Sequence, residues 1–278
     1  MITFPHIGFM GRLGNQMFQY AALYSISKKY NLKFVLNTTA LQIYKCFKLT
    51  AEVSSKHNND FVLPHGLTSD IIKNTYSIDI KTEEQNCIFL NTAFDIDFYE
   101  TNHDNKSLVG FFQNYKYFID FQDNIRNEYI FKDKYINIAK FYLNQRFPDS
   151  KVIALHIRRT DYLNSYFLSC LDLQYYKNAL KYFKESLPVL IFSDDPAWCK
   201  EQDLFKDERF FIMNSEDTYV DLCIMSMCNY HIIANSTYSW WGSWLAKSEK
   251  TICPKQWFQP YASFLDSDGL RLPNWISI

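Results

Sequence analysis

Short apolar runs alternate with amphipathic stretches through the second half of the chain. VIALHIR (152–158), PVLIFSD, RFFIMN, YHIIAN and KTICPK are near-continuous apolar runs, as in strands buried on both faces. Between them, LDLQYYKNALKYFKESL, PAWCKEQD, DTYVDLCIMSMC and SWWGSWLAK predict helices, the first capped by Asp172. The alternation predicts an α/β fold with a doubly wound parallel sheet in the C-terminal half. The N-terminal half opens with the same alternation. ITFPHIGFM reads as a strand, GRLGN as a tight turn, 15–30 as a helix and LKFVLN as a strand. From 40 to 110 the pattern weakens, with loops at SSKHNND and HGLTSD. LVGFFQNYKYF (108–118) predicts a short strand running into a loop, and IRNEYIFKDKYINIAKFYLNQRF a mostly helical stretch. The latter ends at Pro148-Asp149, which predicts two domains, 1–148 and 149–278.

Ligands of parallel sheets bind beyond the C-terminal ends of the strands. Three predicted strand ends carry polar groups: His156-Ile157-Arg158-Arg159, Ser193-Asp194-Asp195 and Asn235-Ser236-Thr237. Arginine forks match a phosphate bidentately and stay charged at neutral pH. The Asn235–Thr237 turn enters a helix, whose N-terminus offers N–H groups and a positive dipole end to an anion. Asp194 is read as a ligand for a base edge and Asp195 as the start of a helix, with divalent-metal binding by the pair as the competing reading. Arg12, Asn15 and Gln16 of the first half are candidates to face a cleft or, equally, to begin their helix. Trp240, Trp241 and Trp244 read as helix-to-sheet packing.

Charge and cysteine content narrow the classes. Twenty-nine basic and thirty acidic residues leave a formal charge of −1, which argues against a dedicated nucleic-acid binder. The 24 Phe, 20 Tyr and 6 Trp suit either a large core or a protein that stacks rings on sugars or bases. Seven single cysteines with no CxxC indicate neither a zinc knuckle nor a disulfide framework. The start lacks a signal-peptide pattern and no run reaches the ~18 apolar residues that span a bilayer, so a soluble cytoplasmic protein is expected. Asp95-Ile96-Asp97 fits a DxD pattern, without a second acidic cluster nearby.

GRLGNQMFQYA, HIRRTDY, FSDDPAWCK and EDTYVDLCIMSMCNYHIIANSTYSWWGSWL, in this order and spacing, resemble the glycosyltransferase family 11 of α-1,2-fucosyltransferases. GFFQNYKYF and PKQWF are similar to that family too. The resemblance implies a GT-B-like fold of two Rossmann-like halves facing a cleft, an acceptor-side domain 1–148 and a GDP-fucose-binding domain 149–278. It also implies inverting transfer of L-fucose from GDP-β-L-fucose to the 2-hydroxyl of a galactoside, on a glycan or a lipid-linked surface-polysaccharide unit, with no cofactor and no required metal. Arg158 is expected on the diphosphate with Arg159 beside it, Asp194 on guanine, Ser236 and Thr237 at the β-phosphate, Asn235 in the same donor site, and His156 near the fucose. Asp161 and His156 are the nearest candidates for the base. Arg12, Asn15 and Gln16 are the acceptor-side candidates. The segment after HIRRTDY, LNSYFLSCLDL, is short and lacks the usual His-Gly, and Thr160 stands where Gly is more usual. Alternatives are another linkage, a GDP-colitose donor, a non-catalytic sugar-binding protein, and a metal-dependent transferase using Asp95 and Asp97. The expected location is cytoplasmic, or peripheral at the inner membrane face.

Overall fold

A computed structural model describes residues 1–8, 11–54, 93–262 and 265–278, and the backbone of 61–62. Most of the SSKHNND segment, all of HGLTSD, and Cys87 lie outside the described residues. The chain forms two compact units, Met1–Ile130 with Leu265–Leu270, and Phe131–Phe264 with Arg271–Ile278.

The first unit contains β1 (Ile2–Thr3), α1 (Leu13–Lys29), β2 (Phe34–Leu36), α2 (Gln42–Cys46), β3 (Glu52–Val53), β4 (Phe61–Val62), α3 (Ile96–Tyr99), β5 (Ser107–Leu108) and α4 (Gln122–Glu128). Its strands form a parallel sheet in the order β3-β2-β1-β5-β4. Helix α1 is buried nearly all round, as its lack of a polar stripe requires. The turn before it needs glycine at Gly11: φ is +92°, and a Cβ there would lie 1.9 Å from Asn15 Nδ2. Buried Glu128 accepts from Tyr20 Oη (2.7 Å) and Thr50 N (2.9 Å), tying α4 to α1 and to the approach to β3.

The second unit contains α5 (Asp133–Arg146), β6 (Ile153–Ile157), α6 (Leu173–Leu180), β7 (Val189–Ser193), α7 (Pro196–Glu201), β8 (Phe210–Ile212), α8 (Thr218–Met225), β9 (Tyr230–Ile232), α9 (Thr237–Ala246), β10 (Lys250–Cys253) and β11 (Ile276–Ser277). Its six strands are all parallel, in the order β11-β10-β9-β6-β7-β8. The strand order reverses once, between β9 and β6, as in a doubly wound sheet. Strand alternation sends Ile153, Leu155, Ile157, Val189 and Ile191 into the core shared with Tyr175, Tyr176, Ala179 and Leu180 of α6. His156 points to the opposite face, where it meets Ser239 of α9. Trp240 and Trp241 are completely buried, their rings 4.9 Å apart and edge-to-face. Burying each is worth roughly 5 kcal/mol of transfer free energy.

Every strand and helix predicted in the second half is present, and Asp172 caps α6 by accepting from Tyr175 N (3.0 Å). Two expectations change. The helical stretch before Pro148 breaks at Tyr129–Lys132, where Tyr129 buries its ring against Phe47 and donates to Met17 O. The division between units accordingly falls after Ile130, not at 148, because α5 packs on α8, with the rings of Tyr135 and Tyr219 5.6 Å apart. Strand β11, absent from the expected elements, adds a sixth member beside β10.

Candidate active site at the C-terminal edge of the second sheet

Strand order reverses between the neighbours β6 and β9, so the connections leaving them diverge and open a crevice at their C-terminal ends. The chain leaves β6 through Arg158 and Arg159, leaves β7 through Asp194 and Asp195, and runs from β9 through Asn235 and Ser236 into α9. The three predicted strand ends therefore share one rim.

Asp194 organises the turn after β6. Its Oδ1 accepts from Arg159 N (2.9 Å), and its Oδ2 accepts from Thr160 N (3.1 Å) and from the Thr160 hydroxyl. The same Oδ2 lies 3.2 Å from Arg158 Nη1, while Arg158 Nη2 reaches Asp161 Oδ1 at 2.5 Å. Arg158 is thus held between two carboxylates, above the Tyr162 ring (5.5 Å from its centroid). Burial pulls the guanidinium's pKa down, but the bond to Asp161 and the charge of Asp194 more than offset that. Arg159 takes separate partners: Nε lies 3.2 Å from Asp195 Oδ2, and the guanidinium stacks 3.8 Å from the Trp198 ring centroid. Asp195 also accepts from Trp198 N (3.1 Å), capping α7 as expected.

His156 lies beneath this turn. Its Nδ1 is 2.9 Å from Ser239 Oγ, and that hydroxyl is 3.3 Å from Ser236 O. With Ser239 donating to the carbonyl, Nδ1–H is the donor to Ser239 and Nε2 keeps an acceptor lone pair. Burial, then the charge of Arg158, push the His156 pKa down to about 3, so the ring is neutral at physiological pH. The Asn235 Nδ2 is spent on architecture, donating to Ser169 O (2.8 Å) and Trp257 O (2.7 Å), while its buried Oδ1 has no hydrogen-bond partner. Ser236 is the N-cap residue of α9, yet its side chain makes no capping bond to that helix. Thr237 opens the helix. Tyr238 donates to Thr218 O (2.5 Å), joining the N-termini of α9 and α8, and its ring lies 5.6 Å from His156.

One further residue of the second unit is not among those expected from the sequence. Asp221, in the first turn of α8, has a buried Oδ1 without a hydrogen-bond partner. Burial raises its pKa to about 7, against a lowering bond from Ser215, with Asp217 adding to the rise. The available signal is a carboxylate set among the apolar residues of DTYVDLCIM.

Arg12, Asn15 and Gln16 belong to the first unit, at the start of α1. Arg12 is exposed. Asn15 Oδ1 accepts from Gln113 Nε2 (3.1 Å), and buried Gln16 accepts from Ile43 N (3.4 Å). Gln113 is not among the expected residues. It follows Phe112, a buried side chain whose φ of +52° places it in the left-handed region, a conformation that bulky residues rarely adopt.

Asp95 accepts from Phe98 N (2.9 Å) and caps α3. Among the described residues no three His, Cys, Asp or Glu side chains gather as a metal site would require, and no helix is long and apolar enough to cross a membrane. The six described cysteines are free, and burial lifts the Cys223 and Cys228 thiols to about 12.

The α-1,2-colitosyltransferase of Escherichia coli is 30% identical over 90% of this chain and 90% of its own length. The O-antigen biosynthesis glycosyltransferase WbnK of Escherichia coli is 28% identical, covering 96% of this chain and 98% of its own. Among solved structures, the fucosyltransferase NodZ from Bradyrhizobium superposes with a TM-score of 0.54 at 10% identity, over 87% of this chain and 91% of its own. POFUT1 in complex with GDP-fucose gives 0.54 at 13%, over 89% and 94%. These likenesses show the GT-B-like fold. The family model for glycosyl transferase family 11 matches residues 3–278, and the chain therefore belongs to glycosyltransferase family 11.

Proposed function

We propose that this glycosyltransferase transfers L-fucose from GDP-β-L-fucose to the 2-hydroxyl of a galactoside, with inversion and without a metal. The observation that carries the reading is Arg158, braced between Asp161 and Asp194 at the reversal point of a doubly wound sheet, beside the N-terminal turn of α9. The acceptor oxygen attacks carbon 1 from the face opposite GDP. The bond from carbon 1 to the phosphate oxygen breaks, its electron pair leaves on the β-phosphate, and the acceptor hydroxyl gives up its proton. Negative charge therefore grows on the diphosphate, where Arg158, Ser236, Thr237 and the α9 N-terminus supply donors fixed in advance, each worth roughly 3 kcal/mol in the transition state. Arg159, held by Asp195 and Trp198, lines the same donor site.

Within this reading the roles of the carboxylates divide. Asp194 already accepts from three donors of the turn after β6, so it positions the arginines. Asp221, with its unpartnered oxygen, takes the N–H edge of guanine that was expected of Asp194. Neutral His156 contributes a hydrogen bond near the sugar, since a conjugate acid at about 3 makes it a poor proton acceptor. Asp161 remains as the base, and an Asp161→Asn variant with near-normal turnover and a flat pH–rate profile would remove it. Arg12, Asn15 and Gln16 of the first unit serve the acceptor.

The colitosyltransferase relative supports a second donor, GDP-colitose, the 3-deoxy counterpart of GDP-fucose. Kinship with an O-antigen enzyme supports a lipid-linked acceptor unit, met at the inner membrane face. The deciding experiment measures GDP release from each donor with and without lactose, in EDTA. Lactose-dependent release from GDP-fucose and an α-1,2 linkage in the product are expected. Chelator-sensitive release, or preference for GDP-colitose, overturns the corresponding part.

A further inference from the structure

Tyr166 and Tyr261 are 49% and 55% exposed, yet their rings sit only 4.8 Å apart with 50° between their planes. This is a tilted aromatic corner open to solvent. The loops that carry it are pinned together. Leu168 and Phe258 form an antiparallel bridge, Gln259 N donates to Phe167 O (2.7 Å), and Gln259 Nε2 donates to Leu168 O (3.2 Å). Asn235 then fixes both loops to the end of β9 through Ser169 O and Trp257 O. Beneath the corner, Phe167 is buried and meets Tyr166 edge-on at 4.9 Å.

The corner also belongs to the active-site rim. Ser165 N donates to Tyr162 O (3.3 Å), and Tyr162 carries Arg158 over its ring and donates to Asn235 O (3.1 Å). The loop bearing Tyr166 therefore starts at the residue that supports the phosphate arginine, and the same asparagine that precedes α9 holds Tyr261's loop. Neither 163–170 nor 256–262 contains a charged residue. A surface for anionic lipid would carry lysines or arginines around its apolar side chains. A neutral sugar needs none: it presents an apolar C–H face to an aromatic ring and hydroxyls to uncharged groups at the edge, here Asn164, Ser165 and Gln259.

We propose that the Tyr166–Tyr261 corner is an acceptor subsite that stacks a ring of a neutral galactoside next to the transfer centre. This rests on the donor reading above and assigns acceptor contacts within the second unit. A rigid pair of tyrosines binds at low entropic cost, because its geometry is set by loop-to-loop bonds before the sugar arrives.

The test uses the full chain and two probes, GDP followed by calorimetry and lactose followed by saturation-transfer NMR in saturating GDP. Tyr166→Ala and Tyr261→Ala should each weaken lactose by about three- to tenfold, the worth of one aromatic contact. The corresponding Phe variants should stay within about twofold of the parent, because the ring and not the hydroxyl does the stacking. All four should bind GDP like the parent, and the half-exposed positions leave folding intact. Unchanged lactose affinity in both Ala variants, or no lactose binding by a parent that binds GDP, refutes the platform and leaves the donor reading standing. A parent that binds neither GDP nor lactose removes the donor reading and the platform together. Pelleting with phosphatidylglycerol vesicles that is lost in the Ala variants, with lactose affinity unchanged, assigns the corner to lipid and refutes it as well.

Discussion

Asp221 offers the sharpest quantitative test, because its chemistry can be read without any ligand. Replacing it by Asn preserves shape and removes the titration. In the folded chain the carboxyl's pKa rises from its ordinary 3.8 to about 7, chiefly through burial. At about 1.4 kcal/mol per pH unit, holding this group ionised costs the native state about 4 kcal/mol. The sign follows from which state binds the proton. Below pH 4 both folded and unfolded chains hold it, and no penalty exists. Between pH 4 and 7 the unfolded chain ionises while the folded one stays protonated, so stability declines across that window and levels off above it. Asp221→Asn should therefore match the parent at pH 4 and exceed it by about 4 kcal/mol at pH 8. All six tryptophans lie in the second unit, so urea unfolding followed by their fluorescence reports the unit that holds Asp221. Other titrations cancel in the difference between the two proteins. Parallel stability curves from pH 4 to 8 would refute the reasoning, since they would mean that Asp221 ionises as freely folded as unfolded.

Arg158→Lys should lower kcat/KM by about 10²–10³ with circular dichroism unchanged, because a point charge cannot keep both carboxylates and a phosphate fork at once; turnover near the parent's would exclude Arg158 from the diphosphate. Asn235→Ala should cost about 2–4 kcal/mol in urea unfolding, since it strands the carbonyls of Ser169 and Trp257; a loss of GDP affinity at unchanged stability would return Asn235 to the donor site. Asp221→Asn should narrow the preference for GDP over ADP by about tenfold or more, while Asp194→Asn weakens both nucleotides alike. Calorimetric titration of the two variants with both nucleotides separates base reading from positioning, and a guanine-selective loss in Asp194→Asn would reverse the assignment.

What is legible in the sequence tracks how long each element is and how it is buried. In the second sheet β6 and β7 run five residues each, buried almost throughout, and so stand out as unbroken apolar words. In the first sheet β1, β3 and β5 are two residues long, too short to display any period, and only the pairing reveals their order. The same contrast holds in the site. Which polar residues gather at the rim follows from strand ends, and Arg158, Asp194 and Ser236 are legible that way. What each one bonds to does not follow. Asn235 looks like part of an anion turn because a polar residue before a helix usually is, yet its amide is turned back to hold two loops. Asp221 is hidden because it stands inside a helical word whose neighbours are apolar, where a polar residue usually faces solvent.

Bracing the arginine proposed for the diphosphate with two carboxylates looks wasteful of its charge, but the geometry argues otherwise. A guanidinium has five N–H donors, and the contacts to Asp161 and Asp194 engage only one on each terminal nitrogen. The remaining donors are held in a fixed plane, and Asp194 fixes the backbone N–H groups of Arg159 and Thr160 with the same two oxygens. In the metal-free site proposed above, the protein must supply positive potential that does not reorganise as the leaving group gathers charge. A loose arginine would bind substrate and transition state with equal readiness and spend its energy on the ground state. A clamped one, partly neutralised at rest, gains most when the diphosphate becomes most negative. In the proposed site the two aspartates therefore sharpen the discrimination between bound donor and transition state, and this is the physical reason that an arginine, an aspartate three residues later and a second aspartate just after the next strand belong to one device.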